Sequence, residues 1–186
     1  KITSAPQMED ISFEAFVENE PITVIYSKMG WVRALKGHYD DVSDTKFKEG
    51  DEVAFAVKAR TVDKVLFFAT NGKCYTITGD KLPSGKGFGE PLRLMIDLPN
   101  DEEIVAVLPY QKEQKVLLAA SNGKGFIVST DAMTASTRGG KQMMTVGDKT
   151  KAMFCLAVDG DMVASIGTNK KLLVFPVSEI PEMQRG

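Results

Sequence analysis

The chain has 186 residues and a mass of 20.3 kDa, with 43% hydrophobic residues, 26% charged residues and a formal net charge of −2. That much apolar material builds a core and excludes an intrinsically disordered chain. No apolar stretch reaches the roughly 18 to 20 residues of a membrane helix, no charged-then-apolar leader opens the chain, and Cys74 and Cys155 stand apart with no Cys-x-x-Cys or Cys/His cluster, which argues against a helical span, a disulfide framework and a zinc site. A soluble, cytoplasmic protein is expected, with both cysteines acting as small core hydrophobes.

Residues 1–20 form an acidic lead-in, with Lys1 set against Glu9, Asp10, Glu14, Glu18 and Glu20, a balance of −4 that leaves +2 for the rest. Four related phrases follow. Ile22 to Trp31 turns at Met29-Gly30, Lys64 to Lys73 at Asn71-Gly72, Lys115 to Lys124 at Asn122-Gly123, and Met162 to Lys171 at Asn169-Lys170. The turns are 42, 51 and 47 residues apart, a period that suits propeller blades and not shorter solenoid repeats. Short runs of β-branched, aliphatic and aromatic residues flank each turn, so each phrase reads as a β-hairpin. Asn-Gly supplies two residues that tolerate positive φ, which predicts type I′ turns. The expected fold is all-β, a propeller-like array of about four repeats over 21–62, 63–113, 114–160 and 161–186, the last incomplete. The opening Lys1 and the closing Gln184-Arg185-Gly186 suggest a piece of a longer protein.

Basic residues recur after the turns. Lys28, Arg33 and Lys36 follow one another without an intervening acid; Lys81, Lys86 and Arg93 face only Glu90; Arg138, Lys141, Lys149 and Lys151 face only Asp148. In a repeat array, equivalent positions line up along one rim, so these bases predict a positive track suited to a polyanion. A Gly/basic box begins some twelve to fourteen residues after each later turn: Ser84-Gly85-Lys86-Gly87, Thr137-Arg138-Gly139-Gly140-Lys141-Gln142 and Gln184-Arg185-Gly186, with Lys36-Gly37-His38 as an irregular first version. Glycine beside Lys or Arg lets backbone N–H groups approach an anionic oxygen while the side chain neutralises it. Tyr26, Tyr39, Tyr75 and Tyr110 match no catalytic motif, His38 is the only histidine, and no G-x-S-x-G elbow is present. Trp31, Phe67, Phe68, Phe126 and Phe175 are expected in the core, and Asp101-Glu102-Glu103 reads as a solvated loop.

At these residues the chain resembles the C-terminal DNA-binding domain of the type IIA bacterial topoisomerase A subunits, the β-pinwheel shared by gyrase and topoisomerase IV. The carriers are Glu20-Pro21-Ile22-Thr23-Val24 with Met29-Gly30-Trp31-Val32-Arg33-Ala34 and Lys36-Gly37-His38, then Leu82 to Leu92, then Phe175-Pro176-Val177-Ser178. Gyrase A subunits carry a glutamine-arginine-arginine-glycine-glycine-lysine-glycine box in the first blade, where this chain has Ala34-Leu35-Lys36-Gly37-His38. The resemblance therefore points to topoisomerase IV, with gyrase-type wrapping as the alternative.

What the resemblance implies is binding of double-stranded DNA without sequence preference, with bending or capture of a segment for strand passage. Arg33, Lys36, Lys86, Arg138, Lys141 and Arg185 would neutralise phosphates, His38 and Arg93 would lie near them, and Lys73, Lys124, Lys170 and Lys171 at the turns would assist. The implied partners are the rest of the A subunit, dimeric through its core, and the ATPase B subunit, with no membrane. The domain itself would hold no cofactor, since ATP, magnesium and the DNA-cleaving tyrosine belong elsewhere in that family's enzyme, and it would sit with the nucleoid in the cytoplasm. A propeller-like scaffold that binds another protein through the same rim is the competing reading.

Overall fold

The structure is a computed structural model that describes residues 17–186; most of the acidic lead-in lies outside these residues. Among the described residues thirteen strands form four antiparallel sheets, one for each repeated phrase. The first sheet has the order β3-β1-β2-β6, from β1 (Pro21–Ser27), β2 (Trp31–Lys36), β3 (Val53–Arg60) and β6 (Glu90–Pro91). The second has the order β10-β5-β4-β7, from β4 (Lys64–Ala69), β5 (Lys73–Thr78), β7 (Ile104–Pro109) and β10 (Lys141–Gln142). The third is β11-β8-β9, from β8 (Lys115–Ala120), β9 (Gly125–Ser129) and β11 (Ala152–Ala157), and the fourth is the hairpin of β12 (Met162–Ile166) and β13 (Leu172–Pro176). A single helical turn, α1 (Thr130–Met133), follows β9.

The sheets do not coincide with the sequence repeats. The first three are each completed from the repeat that follows: β6 pairs with β2 through Trp31↔Pro91 and Val32↔Glu90, and β10 pairs with β5 through Lys141↔Cys74 and Gln142↔Lys73. In the third sheet the same place is taken by residues 181–183. There Ile127 donates its N–H to the Pro181 carbonyl at 2.9 Å and accepts from Met183 N–H at 2.8 Å.

The turns differ from expectation in a way that explains the asparagines. Asn71 and Asn122 are not in the left-handed region; only Gly30, Gly72 and Gly123 are, at φ +85°, +75° and +80°, with Lys170 in the same place at +62°. The hairpins therefore have three-residue loops in which a turn precedes one left-handed residue, and not two-residue type I′ loops. Gly72 N–H closes on the Ala69 carbonyl at 2.9 Å and Gly123 N–H on Ala120 at 3.0 Å. The asparagines act through their side chains: the Oδ1 atoms of Asn71, Asn122 and Asn169 each accept the N–H two residues on, at 3.0 Å. The first hairpin lacks an asparagine, and Ser27 Oγ accepts from Trp31 N–H there instead.

β4 shows how the core is assembled. Val65 and Phe67 enter one cluster with Val24, Tyr26, Val32, Tyr75 and Leu92, while Leu66 and Phe68 enter another with Val116, Leu118, Phe126 and Met143. The second sheet is thus covered on both faces, which is why Val65 to Ala69 is a continuous apolar run and not an alternating one. Each large side chain buried in this way is worth about 1.5–3 kcal/mol. Cys74 is fully buried and Cys155 packs at the edge of the second cluster; burial pushes both thiols up, Cys155 to about 12, as expected of inert core residues. The fourth sheet is the least covered. Ile166, Leu172, Leu173 and Val174 are exposed, as are Met153, Phe154 and Leu156 on β11.

Candidate nucleic-acid interface

Because each box crosses to the preceding sheet, it lies against the hairpin of the repeat before it. Lys141 is in register with Cys74, and Lys73 Nζ reaches the Gly139 carbonyl at 3.4 Å, so Lys73, Arg138 and Lys141 gather on the second sheet. Gly186 packs on Phe126 of β9, which brings Arg185 towards the Lys124 turn on the third. The first box does the same over β2, where the Pro83 carbonyl accepts from Ala34 N–H at 2.8 Å and a Cβ on Gly85 would press into Leu35. The glycines are needed for this overlay. A Cβ on Gly72 would collide with the Met144 carbonyl of the crossing chain, whereas one on Gly123 would meet nothing.

Apart from the half-buried Lys73, the candidate Lys and Arg residues fall into three groups. Lys86, Lys124, Lys141, Lys170, Lys171 and Arg185 are exposed, and among the described residues none has an acidic partner within salt-bridge distance. Lys36 and Arg138 are exposed but partnered, Lys36 with Glu20 at 3.3 Å and Arg138 with Asp97 at 3.6 Å and the Leu94 carbonyl at 2.8 Å. Surface pairs of this kind are worth at most about 1 kcal/mol and yield readily to a phosphate.

Arg33 and Arg93 form the third group, and here the expectation is corrected. Arg33 is only 5% exposed; its guanidinium donates to the Gly87 and Lys46 carbonyls and stacks over the Phe47 ring at 5.7 Å. Burial draws its pKa down. It clamps the first box onto β2 and has little left to offer a phosphate. Arg93 Nη2 donates to the Pro99 carbonyl at 3.1 Å, to Asn100 at 3.3 Å and to Glu102, and its Nε is buried without a partner, so it holds the loop that leads into β7. His38 is anchored through Nε2 to the Ala59 carbonyl at 2.9 Å.

In the acidic run Asp101 and Glu103 are exposed, in line with a solvated loop, whereas Glu102 is engaged. Glu102 accepts from the Thr70 hydroxyl, lies 3.9 Å from Lys151, and its side chain is only 17% exposed. Of the aromatics, Phe67, Phe68 and Phe126 are in the core, while Trp31 is half-buried under Lys48 Nζ, 3.6 Å from the ring centroid. Among the described residues there is no cluster of three or more His, Cys, Asp or Glu side chains that could hold a metal ion.

The model of one protein family, described as the DNA gyrase C-terminal domain, beta-propeller, matches residues 63–111, 114–157 and 161–186. The chain belongs to this family of gyrase-type C-terminal β-propeller domains. Within it, the similarity runs to topoisomerase IV. The A subunit of DNA topoisomerase 4 from Caulobacter vibrioides is 46% identical over 183 residues, covering 98% of this chain and 24% of that protein. Its Rickettsia bellii counterpart is also 46% identical, over 100% of this chain and 25% of its own length. The chain thus spans about a quarter of the curated relatives it matches. The solved C-terminal domain of Escherichia coli ParC superposes with a TM-score of 0.83 at 34% identity, over 90% of this chain and 69% of that one. The propeller-like array expected from the repeats is therefore the fold of the family.

Proposed function

We propose that this chain is the DNA-binding C-terminal domain of a topoisomerase IV A subunit. It grips the phosphates of duplex DNA without reading base sequence, and it bends or captures a segment for strand passage by the rest of the enzyme. The observation that supports this is the set of exposed bases without salt-bridge partners, Lys86, Lys124, Lys141 and Arg185, which stand on boxes and turns at equivalent places of a fold shared with the ParC domain. Such residues neutralise phosphates and release counterions, and they carry no base-specific geometry. With Arg33 buried and only Lys36-Gly37-His38 at the end of β2, the first sheet lacks a dense basic box, which favours bending over tight wrapping. Strand cleavage, ATP hydrolysis and the magnesium ion would belong to the dimeric core of the enzyme and to its ATPase partner, in the bacterial cytoplasm. No helix among the described residues is long and apolar enough to cross a membrane.

The test is binding to a duplex of about 40 base pairs across a salt series. If about five phosphates are engaged, log K falls with log salt at a slope of roughly −4 to −5, equally for unrelated sequences. The pair Lys124→Ala/Lys141→Ala should reduce that slope by about 2. No binding at low salt by the folded chain would overturn the reading in favour of a protein-binding scaffold.

A further inference from the structure

Where the third repeat crosses the second sheet it leaves an open cleft of about 540 Å³ whose lining has no carboxylate. Lys64, the first residue of β4, stands directly across from Thr78, the last residue of β5. The chain then enters a 3-10 turn, Gly79–Lys81, that carries Lys81 to the same cleft. On the far side runs the segment leading to the box, held along β5 by Ala135 N–H donating to Thr76 Oγ1 at 2.9 Å. It contributes Ser136, Thr137 and Arg138.

Among the described residues, neither Lys64 nor Lys81 has an acidic partner within 4.0 Å, and the hydroxyls of Thr78, Ser136 and Thr137 make no hydrogen bond. The Arg138 guanidinium is oriented by Leu94 and Asp97 through Nη2 and Nε, which leaves Nη1 free to donate. Two lysines, an arginine held on one side and three residues with free hydroxyls line one space, a donor set that matches the oxygens of a phosphate group. The equivalent positions elsewhere have either a carboxylate beside the base or no base at all. Lys115, the counterpart of Lys64 in the third sheet, is paired with Glu182 at 2.7 Å, and in the first sheet the counterpart is the buried Ile22.

We infer that this cleft seats a backbone phosphodiester of the bound duplex, so that DNA is anchored where the third repeat crosses the second sheet. The inference rests on the DNA-binding reading and assigns contacts to Lys64 and Lys81. The test compares wild type, Lys64→Gln/Lys81→Gln and the control Lys115→Gln in duplex binding across salt, with thermal melts to confirm folding and with NMR titration of inorganic phosphate followed at the Thr78, Ser136 and Thr137 amides. The expected result is a slope shallower by about 2 for the Lys64/Lys81 pair, no change for Lys115→Gln, and amide shifts with duplex at concentrations where inorganic phosphate gives none. A wild type that binds steeply beside a folded Lys64/Lys81 variant with the same slope and affinity overturns the seat and leaves the DNA reading standing. Shifts with inorganic phosphate while duplex binding ignores the variant assign the cleft to a free anion and also overturn it. A folded wild type with no duplex binding overturns both.

Discussion

The second and third sheets grow from the two most similar phrases in the chain, Lys64–Lys73 and Lys115–Lys124, and are nevertheless finished differently. In the second, the crossing chain passes over the hairpin turn, with Met143 and Met144 N–H groups donating to the Gly72 carbonyl at 2.9 and 3.1 Å, and Lys64 is left free. In the third, the Gly123 turn is open on the side where a Cβ would point, and the crossing residue Glu182 covers Lys115. Two hairpins of one local design thus acquire different surfaces from the repeat that completes each. At Lys115, charge presentation is decided one repeat downstream of the strand that carries the base.

Two substitutions at the turns probe that contrast first. Gly72→Ala places a Cβ against the Met144 backbone at φ +75°, whereas Gly123→Ala meets only the strain of φ +80°. The expected losses are about 3–5 kcal/mol for the first, from strain and overpacking together, and about 1–2 kcal/mol for the second. Urea midpoints measure both, and equal losses would mean that the crossing chain does not constrain the second turn.

Arg33→Met tests whether the first sheet differs from both. Removing a buried guanidinium from the Gly87 and Lys46 carbonyls should cost about 2 kcal/mol or more, with no change in the salt slope of duplex binding. A shallower slope at unchanged stability would return Arg33 to the DNA face. The smallest effect is expected from Glu182→Gln, which leaves Lys115 without a carboxylate partner, as Lys64 is in the second sheet. Stability should move by less than about 1 kcal/mol because the pair is exposed. The salt slope should steepen by about 1.

The sequence carried the hairpins, their number and the all-β class because those depend on residues a few positions apart. Asn71-Gly72 and Asn122-Gly123 marked real turns, although the asparagines serve as side-chain acceptors and not as left-handed residues. The exposed bases of the boxes and turns were legible for the same reason. Arg33 and Arg93 were not, since the carbonyls that engage them include Gly87, 54 residues from Arg33, and a loop whose closure depends on the fold. Lys64 was passed over because its distinction from Lys115 lies in Glu182, 67 residues beyond Lys115, and a repeat alignment sees only that both are lysines. Glu102 looked like solvent-facing charge because the Thr70 hydroxyl it accepts from lies on another hairpin.

The offset between repeats and sheets also bears on how the chain is made. During synthesis the first sheet lacks its last strand until Glu90–Pro91 has left the ribosome, the second until Lys141–Gln142, and the third until the segment around Glu182. At every stage the nascent chain therefore presents an unsealed β edge, the kind of edge that pairs with a neighbouring nascent copy if it is left waiting. A pause in translation between residues 78 and 141 would hold β5 open for longest, so codon usage across that stretch should affect the yield of folded protein more than it does within any single hairpin.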